Sequence, residues 1–256
     1  MEEIPHQTHL TEEENYCERL FVETTTRDQD GRFTVALPFK SPPPLNLGNS
    51  LKVAQAMFIR MERRLDRDPE LKAEYSNFLN EYEQLGHMCP YAPSSQGEEV
   101  YYIPHHPVIK PSSSSTKVRA VFNASARTDI GKSLNASLLV GPKVQQDLPA
   151  IILRWRQHKF VCSADITKMF RQIRIREEDT KFQLVLHRSP STHEVTSYRL
   201  LTVTYGTTSA PYLAQRTFSL RMTKKLTIRW RVPLSSRIPL WMTPFSDVHR
   251  LTVAGN

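Results

Sequence analysis

One acidic residue stands at the end of an apolar run in the middle of the chain. Residues 160–164 are small or apolar, as in a strand buried on both faces, and Asp165 follows directly. Because an unpaired carboxylate is costly to bury, Asp165 must lie at the strand's end, pair with a base or hold a metal ion. Lys168 and Arg171 come next, so a catalytic carboxylate here is expected to face a basic neighbourhood. The structural alternative is a strand-end residue satisfied by a helix cap or by Arg171.

A second set of candidate site residues is cationic. Residues 112–115 are four serines, and residues 117–122 alternate basic and apolar side chains, as a half-exposed strand does. This pattern places Lys117 and Arg119 on one face, opposite Val118. Hydroxyl groups and cations in this arrangement suit phosphate contact. Equally often, basic residues on an exposed strand only keep its surface solvated. This segment alone therefore does not decide between phosphate binding and a solvated strand.

Two motif-like segments do not complete a site. His87, Cys89 and residues 105–106 match no common zinc spacing, and no further Cys or His pair completes four ligands. Residues 131–133 resemble the end of a phosphate loop, but Ala126 stands where that loop needs its first glycine.

Charge and cysteine content limit the class of protein. The formal net charge is +8, which favours an anionic partner such as nucleic acid. The three cysteines are widely spaced, which predicts reduced thiols in an intracellular protein. The N-terminal residues do not form a signal peptide, and no apolar stretch approaches the length of a membrane span.

Residues 50–86 carry the strongest periodic signal and predict a helical hairpin. Asp68 is a helix N-cap, Pro69 suits the first helical position, and Gly86 suits the C-terminal stop. We expect a packing module with solvated charged faces. The apolar stripes predicted to face the core are Val53, Met57, Met61 and Leu65 in the first helix and Leu71, Tyr75, Phe78, Tyr82 and Leu85 in the second.

Other elements follow from shorter patterns. Strands are predicted at residues 31–39, 182–186 and 198–204, the last two as a hairpin. A tight loop over residues 205–211 precedes a helix over residues 212–220. A further helix begins at Asp147, with an inner side predicted to comprise Leu148, Ile151, Ile152 and Trp155. The mixture indicates an α+β fold.

Several ordered blocks resemble the reverse transcriptase of BEL/Pao-type LTR retrotransposons, and the resemblance covers about residues 8–220. One departure is Asn123, where the family usually carries Asp. The blocks that carry the resemblance are residues 101–110, 121–125, 138–142, 164–173 and 198–211, together with the hairpin residues Glu81-Tyr82 and Leu85 to Met88.

The resemblance implies the fingers and part of the palm of a right-hand polymerase, an antiparallel sheet packed on helices and preceded by the helical hairpin. It implies three regions. Residues 1–90 are an N-terminal polar segment and the hairpin, residues 91–220 are the fingers and partial palm, and residues 221–256 are a basic tail unlike the family, expected to be frameshifted and disordered.

The resemblance also assigns roles to particular residues. Asp165 would be the first palm carboxylate, binding both catalytic magnesium ions with the carbonyl of Ile166 nearby. Phe170 would lie beneath the sugar and discriminate against a ribose 2′-hydroxyl. Template–primer RNA or DNA and an incoming dNTP are the implied partners, and two-metal phosphoryl transfer is the implied chemistry.

The incoming nucleotide has its own implied contacts. Arg119, with Lys117 beside it, would lie on the triphosphate. Tyr205 and Gly206 would form the loop that packs against the nucleotide and the template.

The rest of the metal site is missing. Two magnesium ions need several carboxylates, the family supplies two as an Asp-Asp pair, and no such pair occurs in the chain. Tryptophan and methionine have one codon each, so the nucleotides that encode residues 240–244, Leu-Trp-Met-Thr-Pro, are largely fixed. Read one base earlier, the same nucleotides encode Asp-Asp. We therefore expect a frameshift between about Thr217 and Leu240, and magnesium is expected to bind poorly here.

Three interpretations stay open. The first is a reverse-transcriptase fragment that is inactive as written. The second is a non-catalytic nucleic-acid-binding or interaction protein derived from a retroelement, and the third is a translation product without a stable fold. Oligomeric state does not follow from the sequence.

Overall fold

A computed structural model of the 256-residue chain describes residues 10–93, 97–109, 118–158, 166–188 and 194–223. The described residues form seven helices and three small sheets, which is compatible with the predicted α+β class. The helices are α1 (Glu12–Thr24), α2 (Leu51–Leu65), α3 (Pro69–Gln84), α4 (Leu134–Ser137), α5 (Leu148–Trp155), α6 (Glu177–Thr180) and α7 (Ala210–Thr223). The strands are β1 (Thr26–Arg27), β2 (Phe33–Val35), β3 (Met88–Pro90), β4 (His105–Ile109), β5 (Val118–Phe122), β6 (Ile173–Ile175), β7 (Leu184–Arg188) and β8 (Val195–Leu200).

The sheets have the strand orders β1-β2-β6, β3-β8-β7 and β4-β5. The predicted hairpin is confirmed, because β7 and β8 pair antiparallel from Leu184 opposite Arg199 to Arg188 opposite Val195. The resemblance implies an antiparallel sheet. Four of the five strand pairs in the described residues are antiparallel, and the exception is β2 with β6, which run parallel. These two strands are far apart in the chain, so no short turn forces them to run in opposite directions.

The helical hairpin is confirmed as α2 and α3, and it packs against the sheets. Helix α2 contacts β4 and β7, and α3 contacts β3 and β5. The residues that face the core differ in part from those predicted. Val53, Met57 and Phe78 are only half-buried, and Leu85, beyond the end of α3, is exposed. The buried residues are Ala54, Phe58, Met61 and Leu65 in α2 and Leu71, Tyr75, Leu79 and Tyr82 in α3.

Asp68 caps α3 as predicted, since its Oδ1 accepts a hydrogen bond from the Leu71 backbone N–H at 3.0 Å. Replacing Asp68 with Ala is expected to lower the free energy of unfolding by about 1 kcal/mol, because that N–H loses its partner. Urea denaturation measures the change. Asp66→Ala is the matched control, because it removes only an exposed ion pair with Lys72 and is expected to cost less. Equal losses in the two variants would contradict the capping role.

Two elements differ from the sequence prediction in the N-terminal region. Helix α1 was not predicted, although Thr11 and Glu14 form a capping box at its start. The strand predicted over residues 31–39 is shorter, because β2 ends at Val35 and the Leu37 N–H donates to the Asp179 carboxylate at 2.8 Å instead of to a strand.

Helix α5 forms, but its predicted inner side is wrong. None of its residues is buried, and Leu148 and Ile152 are exposed. Periodicity identifies which face of a helix is apolar, and it does not supply a packing partner for that face.

One cluster of buried apolar side chains runs from Cys17 to Ala214 and contains residues from both sides of position 90. The predicted boundary at residue 90 remains a prediction. Helix α7 extends to Thr223, three residues into the tail predicted from residue 221, and residues 224–256 of that tail lie outside the described residues. In the described part of the chain, no helix has both the length and the apolar character needed to cross a bilayer.

Candidate nucleotide-binding site

Two of the seven predicted site residues, Asp165 and Lys117, lie outside the described residues, as does the apolar run of residues 160–164. The other five are described. Ile166 begins a described segment and is half-buried, and Arg119 lies in β5. Phe170, Tyr205 and Gly206 lie near one another around the end of β5.

Tyr205 joins two aromatic side chains from different parts of the chain. Its ring centroid lies 6.2 Å from that of Phe170 and 5.2 Å from that of Phe122, the last residue of β5. Phe122 is fully buried, whereas Phe170 and Tyr205 are half-buried. The three rings therefore form a cluster that keeps part of its surface open.

Gly206 brings the next loop against the β5 backbone. Its φ is +103°, and a Cβ at this position would lie 2.2 Å from the Phe122 carbonyl oxygen, so only glycine fits. Asn135 holds the loop from the other side. Its Nδ2 donates to the Gly206 carbonyl at 3.0 Å, and its Oδ1 accepts from the Thr208 N–H at 2.8 Å.

Arg119 lies on the same strand as Phe122 but on its other face. Val118, Ala120 and Phe122 are buried, while Arg119 and Val121 are exposed, as the predicted alternation requires. Arg119 stands opposite Val108 of β4 and is roughly 10 Å along the strand from Phe122. The structure therefore does not bring Arg119 into contact with the aromatic cluster.

The segment that carries Phe170 is a 3₁₀ turn, Met169–Gln172, preceded by Lys168 in the left-handed region at φ 53°. The Arg171 side chain is buried on α3. Its guanidinium lies 4.0 Å from the Tyr82 ring centroid and 4.9 Å from that of Phe78, and its Nη1 donates to Glu81 Oε1 at 3.1 Å. The Lys168 ammonium also donates to Glu81.

Glu81 and Tyr82 are site residues that the sequence analysis missed, since the hairpin was expected only to pack. Tyr82 was predicted from its periodicity as a core residue, and Glu81 was noted only as part of a segment that carries the resemblance, with no role assigned to it. The cations Lys168 and Arg171, which were expected to give Asp165 a basic neighbourhood, both contact Glu81. Asp165 lies outside the described residues, so that expectation stays a prediction. In the sequence, only the two cations indicate that an acidic partner is close. They do not indicate which acidic residue it is.

Burial and charge shift the acid–base properties of this region. A hydrogen bond from Lys168 lowers the pKa of Glu81, and the nearby Arg171 lowers it further. Burial, together with the neighbouring Tyr82, raises the pKa of the Tyr205 hydroxyl above its usual range. Burial lowers the pKa of His87 to about 4, and the charge of Arg171 acts in the same direction. The Glu81 carboxylate, the Tyr205 phenol and the His87 imidazole therefore keep their usual neutral-pH charges.

The predicted magnesium ligand, Asp165, lies outside the described residues, and the described residues do not themselves form a metal-binding cluster. Among them, no three His, Cys, Asp or Glu side chains are grouped to hold a metal ion, and Glu81 is already paired with two cations. Nor is His105 available as a ligand. Its Nδ1 accepts from the Tyr75 hydroxyl at 2.5 Å, and its Nε2–H donates to the Leu186 carbonyl at 2.7 Å.

No protein-family model matches the chain, and no curated protein matches it significantly. Among solved structures, it is similar to a foamy viral protease–reverse transcriptase determined in complex with double-stranded DNA, at 14% sequence identity and a TM-score of 0.40. The match covers 56% of this chain and 21% of that chain. At this TM-score the similarity does not establish a common fold.

Proposed function

We propose that the chain is a nucleotide- and nucleic-acid-binding fragment of a reverse-transcriptase-like polymerase. In this proposal residues 91–220 correspond to the fingers and part of the palm, as in BEL/Pao-type elements, and residues 1–90 precede them. The observation that carries the proposal is the meeting of Phe170, Tyr205 and Gly206 at the end of β5. Phe170 and the adjacent pair Tyr205 and Gly206 come from two separate segments of the chain, and the resemblance assigns all three residues to the nucleotide.

The chemistry of this region suits a nucleotide. Half-buried aromatic rings offer stacking surface to a base or a sugar, and stacking contributes about 1–3 kcal/mol per base. Arg119 is exposed on a strand that ends at the cluster, so it is free to contact phosphate along the surface. The net charge of +8 favours the same class of partner.

The acidic residues of this chain do not complete the catalytic site of a polymerase. Asp165 is the single palm carboxylate that the resemblance places in this chain, and no Asp-Asp pair follows it. The described residues do not supply a group of ligands for magnesium, so the proposed activity includes no metal-dependent step. The proposed activity is therefore binding without nucleotide addition, and a one-base change of frame before residue 240 would restore the missing pair.

Binding is tested by fluorescence polarisation with a labelled RNA–DNA primer–template between 50 and 300 mM salt. We expect affinity to fall steeply with salt, and Arg119→Ala to reduce the slope by about 0.9, the value of one phosphate contact. Arg60→Ala, on the exposed side of α2, is the matched control and should leave the slope unchanged. Binding that does not respond to salt, or equal effects of the two variants, would contradict the proposal.

Primer extension separates the catalytic and non-catalytic forms of the proposal. With dNTPs and magnesium we expect no extension by this chain, because one carboxylate cannot hold two ions. Extension that disappears in Asp165→Asn would instead establish a working polymerase site. Correcting the frame by one base is expected to produce extension, and failure of the corrected protein would count against the frameshift.

A further inference from the structure

We infer that Glu81 on α3 is a positioning residue for Phe170, so that the helical hairpin sets the shape of the candidate nucleotide site. The expected effect of Glu81 on nucleotide binding rests on the proposed function. The anchoring of the turn by Glu81 rests only on the contacts of α3 with the 3₁₀ turn.

Glu81 contacts both ends of the segment that carries Phe170. It accepts hydrogen bonds from Lys168, two residues before Phe170, and from Arg171, the residue after it. A single carboxylate therefore holds the residues on either side of the Phe170 side chain. Among the described residues, Glu81 is the acid that pairs with each of these cations.

The turn needs such an anchor because its backbone is strained. Lys168 has φ 53° and ψ 41°, a left-handed conformation that is unfavourable for a residue with a Cβ. Strain of this kind persists where surrounding contacts over-determine the conformation. The ion pair with Glu81 and the stacking of Arg171 on Tyr82 supply those contacts.

Arg171 connects the anchor to the aromatic cluster. Its side chain is only 9% exposed, so losing the Glu81 carboxylate would leave a nearly buried guanidinium without that partner. The Tyr82 ring below it also contacts Phe122 at 6.0 Å between centroids, and Phe122 contacts Tyr205. A shift of the turn therefore moves Phe170 relative to Tyr205.

Hydrogen-exchange mass spectrometry tests the anchoring. Glu81→Gln keeps the shape of the side chain and removes its charge, and we expect about tenfold faster exchange in residues 166–172. Glu62→Gln is the matched control. Glu62 lies on α2 of the same hairpin and forms a two-point ion pair with Arg188, at 2.7 and 2.8 Å, away from the turn.

A nucleotide readout tests the positioning. The ratio of the dissociation constants for an rNTP and its dNTP is expected to fall towards one in Glu81→Gln, as it would in Phe170→Ala, and to stay at the wild-type value in Glu62→Gln. A general loss of stability would weaken the binding of both nucleotides and leave the ratio unchanged.

The outcomes separate the two proposals. Unchanged exchange in residues 166–172 of Glu81→Gln, or equal acceleration in Glu62→Gln, would overturn the anchoring role. An unchanged ratio with faster exchange would overturn the positioning role. Absence of nucleotide binding by the wild-type chain, with the exchange result as expected, would overturn the proposed function and leave the anchor established.

Discussion

Gly206→Ala is expected to lower the free energy of unfolding by about 3 kcal/mol or more. Two effects act together. The backbone at φ +103° disfavours a residue with a Cβ, and the new methyl would lie 2.2 Å from the Phe122 carbonyl oxygen. The loop must move away from β5, so Tyr205 should leave the aromatic cluster and nucleotide binding should weaken with stability. Urea denaturation and nucleotide titration measure the two changes.

Gly86→Ala provides the matched control for this substitution. Gly86 also has a positive φ, +67°, but a Cβ there would meet no atom within 4 Å. Only the backbone penalty applies, about 1 kcal/mol, and nucleotide affinity should not change. If both variants lost the same stability, the close approach to Phe122 would not be the cause.

Acid is expected to unfold the protein between pH 6.5 and about 4. His87, His105 and His187 are buried, and burial lowers the pKa of each from 6.5 to about 4. The unfolded chain therefore binds protons below pH 6.5 that the native state does not bind. Stability is fully present above pH 6.5 and is lost as the pH falls towards the native-state pKa.

The size of this effect is large for a single domain. A pKa difference from 6.5 to about 4 corresponds to about 3 kcal/mol for one histidine at pH 4. Three such groups together come to about 9 kcal/mol, which lies within the 5–15 kcal/mol that is typical of a whole domain. Urea denaturation at a series of pH values measures the slope of stability against pH.

His105→Gln is the control for the acid effect. It removes one titrating group while keeping a polar side chain between Tyr75 and Leu186. The slope of the free energy of unfolding against pH, between pH 6.5 and 4, should fall by the contribution of one proton. This holds whatever the stability of the variant at neutral pH. A wild-type stability that stays constant from pH 7 to pH 4.5 would contradict the prediction.

Local signals explain which elements the sequence predicts well. The α2–α3 hairpin follows from apolar periodicity, from Asp68 and Pro69 at one end of α3 and from Gly86 at the other, and each of these acts within one or two helical turns. The β7–β8 hairpin follows from two neighbouring β-prone runs. Such signals do not depend on distant residues, so they survive in any fold.

Helix α1 shows where local signals are weak. Only Cys17 and Phe21 are buried on it, so its apolar stripe is narrow. A long-range contact joins it to the fold, because Glu18 accepts hydrogen bonds from Tyr212 and Arg216 of α7. The capping box at Thr11 was the one local sign of this helix, and it is easily overlooked beside a polar segment.

The sequence by itself determined the α+β composition, the helical hairpin, the basic charge and the absence of an Asp-Asp pair, since each of these is a local or compositional property. The tertiary structure decided that Phe170, Tyr205 and Phe122 meet, that Arg119 faces the other way, and that Glu81 holds the turn carrying Phe170. The physical reason is that these contacts join residues far apart in the chain. Packing of α3 against β5 and the 3₁₀ turn selects them, and no periodicity in the sequence encodes that choice.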